Sequence, residues 1–225
     1  QFEKSRRYAL LYNKYFRNQH SANIFNSDYY ALSSGKISRY DEIIRTESER
    51  IGWDWRIVAS MIYQESRFNP GAESWAGAFG LMQLMPGTAK NYGVTKTSSP
   101  EAHIRAGINF IKWLDDRFRD VITDENERIK FILASYNIGY GHIQDARRLA
   151  ERYGSDPNVW HGSVEEWLMK KAEPRYYNDQ VVKYGYARGI ETYNYVRQVI
   201  DRYEHYQNIL NSDVMASVRT DQGTR

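Results

Sequence analysis

From Trp55 onward the apolar positions fall at helical spacing. Val58, Ala59 and Ile62 follow Trp55 at i+3, i+4 and i+7, and Asp54 stands where an N-cap belongs. The sequence Phe68-Asn69-Pro70-Gly71 stops this helix, and a glycine-rich loop follows. Ser99-Pro100 then gives an N-cap with proline at the first helical position, and Ile104, Ile108, Ile111, Leu114 and Phe118 form one stripe. Ile129, Ile132, Leu133 and Tyr136 mark another helix, ended by Asn137 to Gly141, and Ile143, Ala146 and Leu149 mark a shorter one. Tyr193, Val196, Ile200 and Tyr203 carry a long C-terminal helix. No run alternates with the period of two that a half-buried strand requires, so the pattern predicts a mainly α core. Residues 1–38 are polar, Tyr- and Asn-rich, and read as an arm or linker. Periodicity fades from about Asn211, which reads as a flexible tail over 211–225. The body of the domain is expected over 39–210.

Composition narrows the chemistry. The 225 residues contain no cysteine, which excludes a disulfide scaffold, a thiolate metal site and a cysteine nucleophile. Thirty-one basic against 28 acidic residues leave a net charge of +3, too balanced to argue for a nucleic-acid partner. No apolar stretch is long enough to span a membrane. The chain opens on Gln1 and shows no signal segment, which reads as a processed piece of a longer protein. The five histidines are scattered without a His-Glu-x-x-His pattern, no Gly-Lys-Ser/Thr phosphate loop occurs, and no Gly-x-Ser-x-Gly element is present. No metal or cofactor is expected.

Three segments carry candidate chemistry. In Tyr63-Gln64-Glu65-Ser66, Glu65 lies about 80° around the helix from Trp55, at the edge of the apolar stripe and in the last turn. A carboxyl with one apolar wall has a raised pKa and suits a general acid. On this helix alone, an ordinary solvated helix-end carboxylate is the stronger reading. In the loop Gly77 to Ala89, the glycines allow close backbone approach, and Gln83 between apolar neighbours must pair its amide with the protein or with a ligand. In Ser135-Tyr136-Asn137-Ile138-Gly139, Tyr136 closes a helical stripe and its hydroxyl needs a partner.

The order of these segments is more specific than any one of them. Glu65-Ser66 with Asn69-Pro70, then Gly80-Leu81-Met82-Gln83-Leu84-Met85-Pro86, then Tyr136-Asn137-Ile138-Gly139, then Glu191-Thr192 with Tyr195-Val196 resembles the soluble-lytic-transglycosylase (SLT) catalytic domain of bacterial peptidoglycan lyases. The likeness covers roughly residues 40–205. It is strongest to membrane-bound members in which this domain follows a solute-binding-protein-like domain, with 1–38 as the connection.

The resemblance implies a lysozyme-like (goose-type lysozyme/SLT) α fold with a helical N-terminal arm. It implies non-hydrolytic cleavage of the β-1,4 bond between N-acetylmuramic acid and N-acetylglucosamine, leaving 1,6-anhydro-muramic ends, at the periplasmic face of the outer membrane. Glu65 takes the acid/base position. Ser66 stands beside it, Met82 and Gln83 match the groove loop, Tyr136 matches the tyrosine near the carboxyl, and Asn137 follows it. Glu191 matches a late carboxylate of structural or secondary-site role. The partners implied are glycan strands, met by a monomer.

Two departures stand out: Ser135 replaces the usual alanine, and Glu73 lies eight positions after Glu65. A hydrolytic lysozyme of goose type would use Glu73 or another carboxylate to activate water. A glycan-binding module without turnover is the other alternative. A single carboxyl suffices for the lyase, and Glu73 is expected to be a solvated loop residue.

The aromatic fraction of 15%, with 19 tyrosines, divides by position. Trp53, Trp55, Trp113 and Tyr193 fall on helical stripes and are expected in the core. Trp75, Phe79, Tyr140, Tyr176, Tyr177 and Tyr184 fall in loops or late segments and are expected to line a sugar groove.

Overall fold

The computed structural model describes residues 36–221, with side chains described through residue 210. The helical arm expected over 1–38 lies, apart from its last three residues, outside them. Nine α-helices follow in order among the described residues: α1 Asp41–Glu49, α2 Trp55–Ser66, α3 Pro86–Asn91, α4 Pro100–Phe118, α5 Glu125–Ile138, α6 Tyr140–Arg152, α7 Glu165–Lys170, α8 Pro174–Tyr177 and α9 Gly189–Asp221. A π-type turn at Trp160–Val164 leads into α7. Strand structure among them is confined to two isolated antiparallel bridges, Glu73 with Phe79 and Phe79 with Leu84. Glu42–Glu204 form the larger of two compact units.

Local chemistry sets the helix limits. Asp54 accepts from Arg56 N and starts α2, Ser99 accepts from Ala102 N ahead of Pro100 in α4, and Asp124 accepts from Glu127 N in α5. At the other end of α2, Arg67 and Phe68 take left-handed φ of 51° and 59°, a conformation disfavoured for both residue types. Arg67 N still donates to Tyr63 O, so the helix closes and the chain turns sharply into the glycine loop. Gly139, at φ 98°, breaks α5 from α6.

The larger unit packs α4 on α5, α5 on α6 and α6 on α7. Every residue of the Ile104–Phe118 stripe is buried, as are Val58, Ala59 and Ile62 of α2 and Ile143, Ala146 and Leu149 of α6. Gly107 on α4 lets Met82 press against the helix, since a Cβ there would lie 2.5 Å from the Met82 methyl.

Three expectations are corrected. On α9 the buried face is Thr192, Tyr195, Val196 and Val199, not the stripe through Tyr193 and Ile200, which are half-buried. The helix is rotated because Thr192 and Tyr195 turn inward to bond with α5 and α2. Trp113 is 37% exposed, since its position borders the α4 stripe and its ring lies at the surface. Trp53 is buried, but Trp55 is half-buried beneath the Arg45 guanidinium, 3.7 Å from its ring centre. The helical backbone of α9 runs through Asp221.

Candidate active site

Glu65 sits in the last turn of α2, half-buried, at the point where the helix gives way to the loop. The Tyr195 hydroxyl, presented by α9, donates to Glu65 Oε1 at 2.6 Å. Loss of hydration pushes the Glu65 carboxyl up to about 7, and the Tyr195 hydrogen bond opposes this without cancelling it. The Tyr136 hydroxyl from α5 lies within electrostatic reach of Glu65. Burial and that negative charge together hold Tyr136 firmly protonated. It donates to Met82 O at 2.8 Å, so the helix bearing Tyr136 pins the glycine loop beside the carboxyl.

The loop is held by its own backbone and by residues whose side chains point away from solvent. Ser66 Oγ donates to Leu81 O at 2.9 Å, with Ile62 O at 3.1 Å, tying α2 to the loop. Gln83, at φ 46°, donates from Nε2 to Ala72 O and Gly80 O at 3.0 and 2.9 Å. Its amide N–H groups are thus spent on the loop rather than offered to a sugar. Met82 is fully buried, which corrects the expectation that its side chain lines a groove: Gly107 leaves a hollow that the thioether fills. Phe79 is buried as well, edge-on to His103 with ring centres 5.7 Å apart. Gly80, at φ 77°, lies so close to His103 that no side chain fits.

The remaining candidates are spread more widely. Asn137 is exposed, and its Oδ1 accepts from Thr192 Oγ1 at 2.7 Å. Glu191 is exposed and paired with Arg188 at 3.3 Å, while its neighbour Thr192 is the residue that turns inward. Tyr184 is 58% exposed, with its ring against Gly141. Among the loop aromatics, Trp75 is fully solvent-exposed, and Tyr140 packs on Phe118 at 5.3 Å. Tyr176 joins a cluster with Tyr153 and Trp167, and Tyr177 meets Tyr186. Glu73 is half-exposed and ion-paired with Lys96.

Two features of the site lie beyond what the sequence pattern points to. Tyr195 is one: a tyrosine three residues after an inward Thr192 shares its helix face. The second is a buried charge cluster beneath the segment that carries Tyr184. Asp145 accepts from Lys171 Nζ at 2.7 Å, from Lys183 N and Tyr184 N at 2.8 Å each, and from Arg148. Lys171 Nζ also lies 2.8 Å from His142 Nδ1. Burial alone would raise the Asp145 carboxyl, but Lys171 and the two backbone N–H groups outweigh it and hold it below the usual carboxylate range.

Among the described residues no cluster of three or more His, Asp or Glu side chains is arranged to hold a metal, and no helix is long and apolar enough to cross a membrane.

Comparison with known proteins places this geometry in context. The family model described as Transglycosylase SLT domain matches residues 42–159. Membrane-bound lytic murein transglycosylase F of Desulfosudis oleivorans is 43% identical over 169 residues, covering 75% of this chain and 36% of that protein. The protein of the same name from Aliivibrio fischeri is 40% identical over 212 residues, covering 93% of this chain and 41% of that protein. The chain therefore spans well under half the length of these relatives. The X-ray structure of an inactive mutant of the lytic transglycosylase Slt from Pseudomonas aeruginosa superposes with a TM-score of 0.51 at 23% identity, over 77% of this chain and 24% of that one. The likeness establishes the lysozyme-like α fold.

Proposed function

Because the chain belongs to the transglycosylase SLT-domain family, we propose that it is a peptidoglycan lytic transglycosylase with Glu65 as its acid and base. The observation that carries this reading is a single desolvated carboxyl, with a pKa of about 7, anchored by Tyr195 at the mouth of a rigid loop. A carboxyl titrating near neutral pH is protonated often enough to give a proton and ionised often enough to take one.

In the proposed reaction Glu65 donates its proton to the glycosidic oxygen as the bond from muramic C1 to that oxygen breaks. The substrate's 2-acetamido oxygen stabilises C1. The Glu65 carboxylate then removes the proton from the muramic O6 hydroxyl as O6 bonds to C1, closing the anhydro ring and restoring the protonated acid. Because O6 belongs to the same sugar, capture is intramolecular and outcompetes water. A hydrolase would need a second carboxylate to activate water. Glu73, half-exposed and paired with Lys96, is not built for that role.

In this reading Ser66, Met82, Gln83 and Phe79 hold the loop in shape, while Tyr136 fixes it beside Glu65. Asn137, Tyr184 and Glu191 are the exposed groups left to meet the glycan. Residues 39–210 form the catalytic domain, 1–38 connect it to an upstream solute-binding-like domain, and 211–225 form a tail. The enzyme works as a monomer on glycan strands at the periplasmic face of the outer membrane. Support for the location comes from the relatives, which are named membrane-bound.

Mass spectrometry of muropeptides released from purified peptidoglycan tests the reaction. Anhydro-muramic ends are expected, and reducing ends in their place would contradict the lyase.

A further inference from the structure

The Asp145 cluster is fully buried, yet no step of the proposed reaction uses it. What it holds points to a use. Asp145 on α6 grips Lys171, the residue that caps the C-terminus of α7, and the backbone N–H groups of Lys183 and Tyr184. Arg148, also on α6, bonds to Asp145 and donates from Nε to Val181 O at 2.7 Å. His142 stands 2.8 Å from Lys171 Nζ, with its ring 6.1 Å from that of Tyr184. An apolar pair of similar volume often stabilises a core as well as a buried ion pair does. Donors from α6, the end of α7 and the segment after α8 converge on this one carboxylate, and fix all three in one register.

That register runs on into the catalytic site. Beyond Tyr184, Ala187 and Gly189 are buried, while Tyr186, Arg188 and Ile190 are exposed. Gly189 opens α9 and rests on the last turn of α7, where a Cβ would lie 2.2 Å from Leu168 O. The first turn of α9 is thus seated on the helix end that Lys171 and Asp145 immobilise. Thr192 then bonds to Asn137, and Tyr195, about 9 Å along the axis from Gly189, reaches Glu65. A first helical turn lacks intrahelical partners for its N–H groups and yields easily, so contacts from outside decide where it sits.

We propose that Asp145 is a positioning residue for catalysis: through Lys171 and the Lys183–Tyr184 backbone it sets the start of α9, and so places the Tyr195 hydroxyl on Glu65. The proposal rests on the transglycosylase reading of Glu65 and adds the support that keeps the acid's hydrogen bond in place. Among the described residues, the titratable groups that reach Glu65 are Tyr195 from α9 and Tyr136 from α5. Tyr136 is held by Met82 O, away from the Asp145 cluster, so a displaced α9 start acts on Glu65 through Tyr195.

The test reads the titration of Glu65 directly, by carboxyl carbon NMR of Glu-labelled protein, with Glu65→Gln identifying the signal. Two variants disturb the support in different ways. Asp145→Leu with Lys171→Met removes both charges, so that neither is left buried alone. Gly189→Ala leaves the cluster intact and presses a methyl group onto Leu168 O. Each should raise the Glu65 pKa by about half a unit or more, toward the value in Tyr195→Phe, and neither should move it further in a Tyr195→Phe background. A merely structural role would lower stability and leave the titration at its parental place. A parental titration in either folded variant, or the same added rise without the Tyr195 hydroxyl, would overturn the proposal. That result leaves muropeptide release by the parent, on which the transglycosylase reading stands, unaffected. A parent that releases none contradicts that reading and takes the positioning role with it.

Discussion

The Tyr195 hydroxyl donates to Glu65 Oε1 at 2.6 Å, joining the last turn of α2 to a residue 130 positions later on α9. The bond favours the ionised carboxylate, against the burial that favours the protonated acid. Tyr195→Phe removes the donor and keeps the ring, so the Glu65 pKa rises. Because the acid role needs the proton, the alkaline limb of kcat/KM against pH should move up by roughly one pH unit, the worth of a hydrogen bond to a charged group. An unmoved limb would show that Tyr195 packs against Glu65 without tuning it.

Glu65 also links stability to pH. Its folded pKa of about 7 exceeds the unfolded value of 4.5, so the folded state holds the proton more tightly. Its contribution is fully favourable below about pH 4.5 and is lost as pH rises through 7. Glu65→Gln cannot ionise and escapes that loss. The variant should be more stable than the parent at pH 8, by on the order of 2 kcal/mol once the solvated part of Glu65 is allowed for, and the gain should vanish near pH 4. Urea unfolding at the two pH values measures it.

The Asp145–Lys171 pair is fully buried and carries the backbone of Lys183 and Tyr184. Lys171→Met leaves Asp145 charged without its main partner, and should cost about 3–5 kcal/mol in denaturant unfolding. Limited proteolysis should then cut first between Asn178 and Tyr186, the segment that Asp145 fastens. The double variant Asp145→Leu with Lys171→Met removes both charges. It should regain part of the global stability but not the protection of that segment, whose N–H groups it leaves unpaired.

Much of this molecule is legible in its sequence, and the departures have common causes. The Ile104–Phe118 stripe predicts α4 and its buried face because all five residues are apolar, and the polar groups that share that face, His103 and Asp115, find partners there in Thr95 O and Arg128. On α9 the same logic picks the wrong face, since Thr192 and Tyr195 are inward for their hydroxyls rather than their carbon. Met82 and Gln83 lie in the loop that Ser66 and Tyr136 tie beside the end of α2. Spacing alone does not say whether a loop residue meets ligand by its side chain or serves by holding backbone, and here Gln83 serves the backbone. Asp145 and Lys171 gave no signal, because isolated charges on helices ordinarily face water. Only the packing of the Lys183–Tyr184 backbone onto Asp145 makes burial tolerable.

The most direct test of the central claim compares Glu65→Gln and Glu73→Gln with the parent in release of soluble muropeptides from purified peptidoglycan. One desolvated carboxyl as the sole acid and base predicts a fall of about a hundredfold or more for Glu65→Gln. For Glu73→Gln it predicts activity within about twofold of the parent, since only an exposed ion pair with Lys96 is lost. Parental activity in Glu65→Gln, or a comparable collapse in Glu73→Gln, would contradict it.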